Sequence, residues 1–189
     1  VQPIGPYFIG GNCSGSFIAL EMCRALVTAG ESVGMMLAID PLEPGVSFTR
    51  HLLRTADNPV DERSPTFRAN LRERLEREVF GSGSLGRQRM EWAIDVAVAL
   101  DIAITNYQPE PYPGPVTLIA SRDRAGPIGH PQSVWRRIAG KGTRIHHVPV
   151  PHLALFLDKG SVLADLVRKT MDGALHVAKA PTPVRPTHA

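Results

Sequence analysis

The chain is poor in cysteine, aromatic residues and net charge, and each shortage excludes something. Two cysteines in 189 residues cannot staple a small scaffold. Cys13 and Cys23 are expected to stay unpaired, in a reducing compartment such as the cytoplasm. No apolar run approaches the ~20 residues of a membrane helix, and no signal-peptide pattern is present, so no membrane partner is expected. A net charge of +3, with aromatics at 6%, leaves no basic–aromatic surface for nucleic acid. No Cys/His spacing suits zinc, so no metal is expected. A hydrophobic content of 43% against 21% charged residues fits a soluble globular chain, long enough for one domain with a sizeable core.

The most informative segment is Pro6 to Ser16. An apolar run, Tyr7-Phe8-Ile9, leads into Gly10-Gly11-Asn12-Cys13-Ser14-Gly15 and then a helical pattern. Gly11-Asn12-Cys13-Ser14-Gly15 fits the G-x-S-x-G nucleophile elbow with cysteine in the serine position. Such an elbow strains its central residue and aims that side chain into a site. Its flanking glycines avoid collisions between strand and helix. The helix start behind the sulfur carries unpaired N–H groups that favour a thiolate and an oxyanion. The alternative for Cys13 is a buried structural thiol; the elbow context favours a nucleophile.

Phe17, Leu20, Met22, Cys23 and Leu26 continue the helix, Gly30 stops it, and Val33 to Ile39 forms the next strand. This strand–helix–strand unit implies parallel neighbours. A nucleophile elbow normally lies mid-sheet, so further strands are expected upstream, in a longer polypeptide. After Asp40 come proline-rich and polar residues, then Ser64-Pro65 as a helix start. Phe67, Leu71, Leu75 and Val79 form one stripe of that helix, with Arg68, Arg72, Arg74 and Arg77 on a solvated face with local ion pairs. The Gly/Ser run 81–86 reads as a hinge. A second helix is expected from Arg87 to Tyr107, packed through Trp92, Val96, Leu100 and Ala103. Strands follow at Val116–Ala120 and Thr143–Val148, a short helix at Ser133–Ala139, and a last helix from Gly160 to Ala178. The segment 42–107 between two sheet strands therefore reads as a helical lid, and 179–189 as a disordered proline-rich tail.

A cysteine nucleophile needs a base, and the base needs an orienting acid. His152 follows a strand directly and is the best base. Asp40 and Asp123 each end a strand, and spacing does not choose between them. The order nucleophile, acid, histidine is that of the α/β-hydrolase arrangement, a mostly parallel sheet with helices. The Ser14 backbone N–H is the expected oxyanion donor; the usual second donor, from an earlier strand loop, has no counterpart here. His146 and His147 point to opposite faces of a strand, and His51 and His130 lie in loops; none is favoured for chemistry.

These residues carry a resemblance. Gly5 to Gly15, Ala19-Leu20-Glu21-Met22, Leu37-Ala38-Ile39-Asp40, Asn106-Tyr107, Pro111 to Leu118, Trp135 and Val148-Pro149-Val150-Pro151-His152 resemble the thioesterase domains of nonribosomal peptide and polyketide synthases. The resemblance spans most of the chain outside the lid. It implies an α/β-hydrolase domain over 1–178, with Asp40 as the acid and Asp123 in reserve. It also implies no cofactor of the protein's own, and a substrate held on the phosphopantetheine of an acyl or peptidyl carrier protein, upstream in the same polypeptide. The chain departs from the pattern at Cys13, where serine is usual, and at Val150, where glycine is usual.

Cysteine changes the energetics. Attack on a carrier thioester yields another thioester, so acyl activation is retained for a second step, whether hydrolysis or capture by an internal amine or hydroxyl to close a ring. Three alternatives stand beside this reading: an acyltransferase on the same scaffold, a nucleotide-binding module with Asp40 on a ribose, and a non-catalytic interaction domain. The last two would form no acyl adduct.

Overall fold

Apolar runs of strand length fold into four parallel strands: β1 (Tyr7–Asn12), β2 (Val33–Ile39), β3 (Val116–Ser121) and β4 (Thr143–Val148), in the spatial order β1-β2-β3-β4. The computed structural model describes residues 3–47, 49, 64–77, 86–122, 131–139, 142–152, 155 and 161–179. The helices are α1 (Gly15–Thr28), α2 (Pro65–Leu75), α3 (Arg87–Asn106), α4 (Pro131–Ala139) and α5 (Ser161–Lys179). This is the expected α/β architecture. The reading of residues 180–189 as a tail lies outside the described residues.

Alternation along the strands sorts the core into two layers. On one face Met36, Ala38, Val116 and Leu118 meet Phe17, Leu20 and Cys23 of α1 and Trp135 and Ile138 of α4. On the other, Met35, Leu37, Ile119 and Val148 meet Leu163 of α5. β3 is buried along its whole length, as a strand covered on both faces must be. Burying a side chain such as Leu20 contributes about 1.5–3 kcal/mol. β1 pairs only with β2 among the described residues, so the elbow strand lies at an edge of the described sheet rather than in its middle.

α1 ends as its sequence dictates. Gly30 takes a left-handed φ of 81°, its N–H reaches Val27 O at 3.0 Å, and the Glu31 N–H reaches Leu26 O at 2.9 Å. This double closure satisfies the last carbonyls. At α2, Ser64 caps the helix by accepting the Phe67 N–H at 3.2 Å, ahead of Pro65.

The second layer of helices corrects two expectations. α3 does not pack through Trp92, Val96 and Leu100; Trp92 is 68% exposed. Its buried face carries Met90 and Ile94, which close on Phe67, Leu71 and Leu75 of α2. Asp101 and Ile104 continue the buried face. A wide apolar helix has two candidate stripes, and α2 fixes which one turns inward. The arginines of α2 also do more than pair locally. Arg68 reaches Asp95 at 2.7 Å and Glu91 at 3.3 Å, and Arg72 also pairs with Glu91, so the charges bind α2 to α3. Arg77–Glu73 follows the expected within-helix pattern. Val79 and the 81–85 hinge lie outside the described residues.

Cys23 is fully buried in the α1 layer, and burial pushes its thiol up to about 11, offset slightly by the Tyr112 hydroxyl beside it. The sign follows directly. The folded state holds this proton more tightly than the unfolded chain, so the stabilisation is complete below the unfolded pKa and lost as pH rises. Urea unfolding should show stability falling between pH 9 and about 11, by up to ~1.4 kcal/mol per pH unit. Cys23→Ala should flatten that slope; an equal slope in both proteins would remove the assignment.

Candidate active site

Register brings the chemistry to one edge. Asn12 lies beside Ile39, Ile39 beside Ile119, and Ser121 beside Val148, so all four strands end together. The residues that follow, Cys13, Asp40, Arg122 and the 149–152 loop, therefore emerge on the carboxyl side of the sheet.

Cys13 has φ 52° and its N–H donates to Ile39 O at 2.8 Å. A left-handed backbone at a non-glycine residue is the strain an elbow requires. The two flanking glycines are not equivalent. A Cβ on Gly11 would lie 2.0 Å from Gly15 O and 2.6 Å from Ser16 N, whereas one on Gly15 meets nothing within 4 Å. The collision expected at both flanks therefore exists only on the strand side. There the helix start is drawn against β1 by the Ser16 hydroxyl, which donates to Gly11 O at 2.8 Å. Gly11→Ala should cost more than about 4 kcal/mol, and Gly15→Ala less than about 1 kcal/mol. Urea midpoints of the two variants check this; equal losses would contradict it.

Asp40 also sits in the left-handed region, at φ 44°, and is completely buried. Its N–H donates to Ile119 O at 2.6 Å. Its carboxylate accepts the Ser121 N–H at 2.7 Å on Oδ1 and the Ser121 hydroxyl at 2.8 Å on Oδ2. Oδ2 also bonds His152 Nδ1. A buried carboxylate held by two donors is fixed in orientation, and it fixes the imidazole in turn through Nδ1. The loop that carries the largely buried His152 is tied to the end of β3 by the Arg122 N–H, which donates to Val150 O at 3.0 Å.

The structure thus joins Asp40 to His152 and sets Cys13 on the same sheet edge; Asp123, His51 and His130 lie outside the described residues. Ser14 begins α1 without a side-chain cap bond. Ser121 was missed as a site residue. Its signal was position: a hydroxyl at the end of a strand neighbouring the one that delivers the acid. No group of three or more His, Cys, Asp or Glu able to hold a metal occurs among the described residues. No helix of the described residues is long and apolar enough to cross a membrane.

Above the elbow lies a cavity of about 270 Å³, reached by Cys13 and Ser14 and walled by Leu42, Leu75 and the Trp92–Val96–Leu100 face of α3. The stripe that does not pack into the core lines this space instead.

The architecture is the α/β fold of solved thioesterase structures. The chain belongs to the thioesterase domain family, whose model matches residues 1–170. A thioesterase of Aspergillus terreus, pytI, is 44% identical over 46 residues, 24% of this chain. The chain spans 15% of that relative's length. Among solved structures, the NocB thioesterase domain, in covalent complex with a fluorophosphonate nocardicin G analogue, is 26% identical with a TM-score of 0.64. That alignment covers 90% of this chain and 68% of NocB. A four-domain nonribosomal peptide synthetase aligns with a TM-score of 0.65 at 23% identity, over 90% of this chain and 15% of its own.

Proposed function

We propose that this domain releases an acyl, peptidyl or polyketide chain from a phosphopantetheinyl carrier protein through an acyl-enzyme on Cys13. The observation that carries the reading is the buried Asp40 carboxylate bonded to His152 Nδ1 on the sheet edge from which the strained Cys13 emerges. His152 Nε2 takes the thiol proton, and the sulfur attacks the thioester carbonyl. The bond to the pantetheine sulfur breaks, and that sulfur leaves with the proton from His152. The Ser14 N–H, at the start of α1, is the proposed oxyanion donor. Water, activated by the same imidazole, then splits the acyl–Cys13 bond; an internal amine or hydroxyl in its place gives a ring.

The Asp40 environment also weighs against the nucleotide alternative. An acid that reads a ribose faces a ligand, whereas both oxygens of Asp40 face Ser121 and His152. The carrier protein, and its position in the same polypeptide, follow from the likeness to synthetase domains and belong to this proposal. Intact-mass measurement after mixing with an acyl-pantetheine thioester should show one acyl adduct, mapped to Cys13 by peptide digestion. No adduct, together with a melting shift on adding a nucleotide, would overturn the reading.

A further inference from the structure

The cavity over the elbow carries more information than its position. Cys13 and Ser14 are among its walls; the remaining described walls are apolar side chains, except for Asp101. Asp101 is 2% exposed, and both of its oxygens are occupied. Oδ2 accepts the Ser47 and Thr49 hydroxyls, each at 2.6 Å, and Oδ1 accepts the Thr49 N–H at 3.1 Å. The carboxylate serves as a clip that ties Ser47 and Thr49 to α3, rather than as a ligand for substrate. A second tie, Gly45 N–H to Ile104 O at 3.1 Å, fastens the same strap one turn further along α3. The neighbouring cavity of about 450 Å³ holds Glu43, Gln108 and Arg137 in its walls. Polar groups are thus sorted away from the space that adjoins the sulfur.

We infer that this cavity is an acyl-chain site for uncharged, aliphatic chains of limited length, and that Ala93 and Trp92 of α3 set that length. The inference rests on the acyl-enzyme reading for its orientation, with the carbonyl at Cys13 and the chain running along α3. The cavity is finite, about 270 Å³, so the length of chain it can cover is bounded. A charged or strongly polar chain would lose its hydration without gaining a partner, since the Asp101 carboxylate in the wall already accepts three hydrogen bonds. Ala93 lines the wall with no bulk beyond Cβ, and Trp92 stands partly in solvent at the cavity's rim.

The test is a ladder of acyl-pantetheine amides, from acetyl to dodecanoyl, in which nitrogen replaces the reactive sulfur. Binding is read from the fluorescence of Trp92, with Trp92→Phe showing which of the two tryptophans responds. Affinity should tighten roughly fourfold per methylene, from ~0.8 kcal/mol per buried CH₂, and level off once the chain fills the cavity. Ala93→Phe should move the plateau to shorter chains; Ala93→Leu provides a smaller step if the first variant folds poorly. A terminal carboxylate on a long chain should weaken binding about 100-fold. Affinity independent of length, or equal affinity for the carboxylated chain, would overturn the inference. Turnover of the matching thioesters is measured in parallel. Graded binding without turnover would support the chain site and sink the acyl-enzyme reading, so the two fail separately.

Discussion

Cys13→Ala is expected to abolish the acyl adduct and to lower turnover of an acyl-pantetheine thioester by roughly 10⁴–10⁶-fold. The reason is that no other group replaces the sulfur. Cys23 is ten residues along the chain, on the buried face of α1, with its thiol held protonated by burial. Cys13→Ser is the more informative partner. A hydroxyl keeps the elbow geometry but forms an oxygen ester, so the first step runs downhill and the second starts from a less activated acyl group. Adducts should therefore persist longer on the serine variant than on the wild type, read by intact mass over time. A ring-closing substrate separates the two further: cyclic product should fall relative to hydrolysis in the serine variant. Full activity in Cys13→Ala would remove the nucleophile assignment altogether.

The second large effect is expected at Asp40. Asp40→Asn preserves shape but removes the acceptor that fixes the His152 tautomer, and turnover should fall about 10⁴-fold near neutral pH. Oδ2 receives the Ser121 hydroxyl as well as His152 Nδ1, so an amide there also sets two donors against one another. Ser121→Ala removes one of the donors holding the carboxylate while the Ser121 N–H remains, and should cost far less, on the order of tenfold. The pair of variants distinguishes orientation from mere packing. A packing role for Asp40 would lower the melting temperature of Asp40→Asn without changing the pH dependence of turnover. An orienting role changes the pH profile, because the imidazole loses its anionic neighbour.

Local features told most of the fold. Val33–Ile39, Thr143–Val148, the Ser64 cap and the Gly30 stop were legible because each depends on a few adjacent residues, and the structure has them as read. The elbow was legible for the same reason. Partnerships between distant segments were less so. Asp40 became the favoured acid only through a family likeness, since spacing left Asp123 equal, and Ser121 entered the site through strand register. The face that α3 buries could not be read from α3. Trp92 looks like core in a helical wheel, yet α2 supplies the apolar stripe that turns Met90 and Ile94 inward. The need for Gly11 but not Gly15 likewise depends on how closely α1 is drawn against β1.

The α2–α3 pair has a small apolar nucleus of its own, Phe67, Leu71, Leu75, Met90 and Ile94, separate from the two layers around the sheet. Its ionic ties also run between its own two helices. The cover over the sulfur is thereby a semi-independent module. Its inner wallpaper can be redecorated residue by residue while Cys13, Asp40 and His152 keep the footing of the strands beneath.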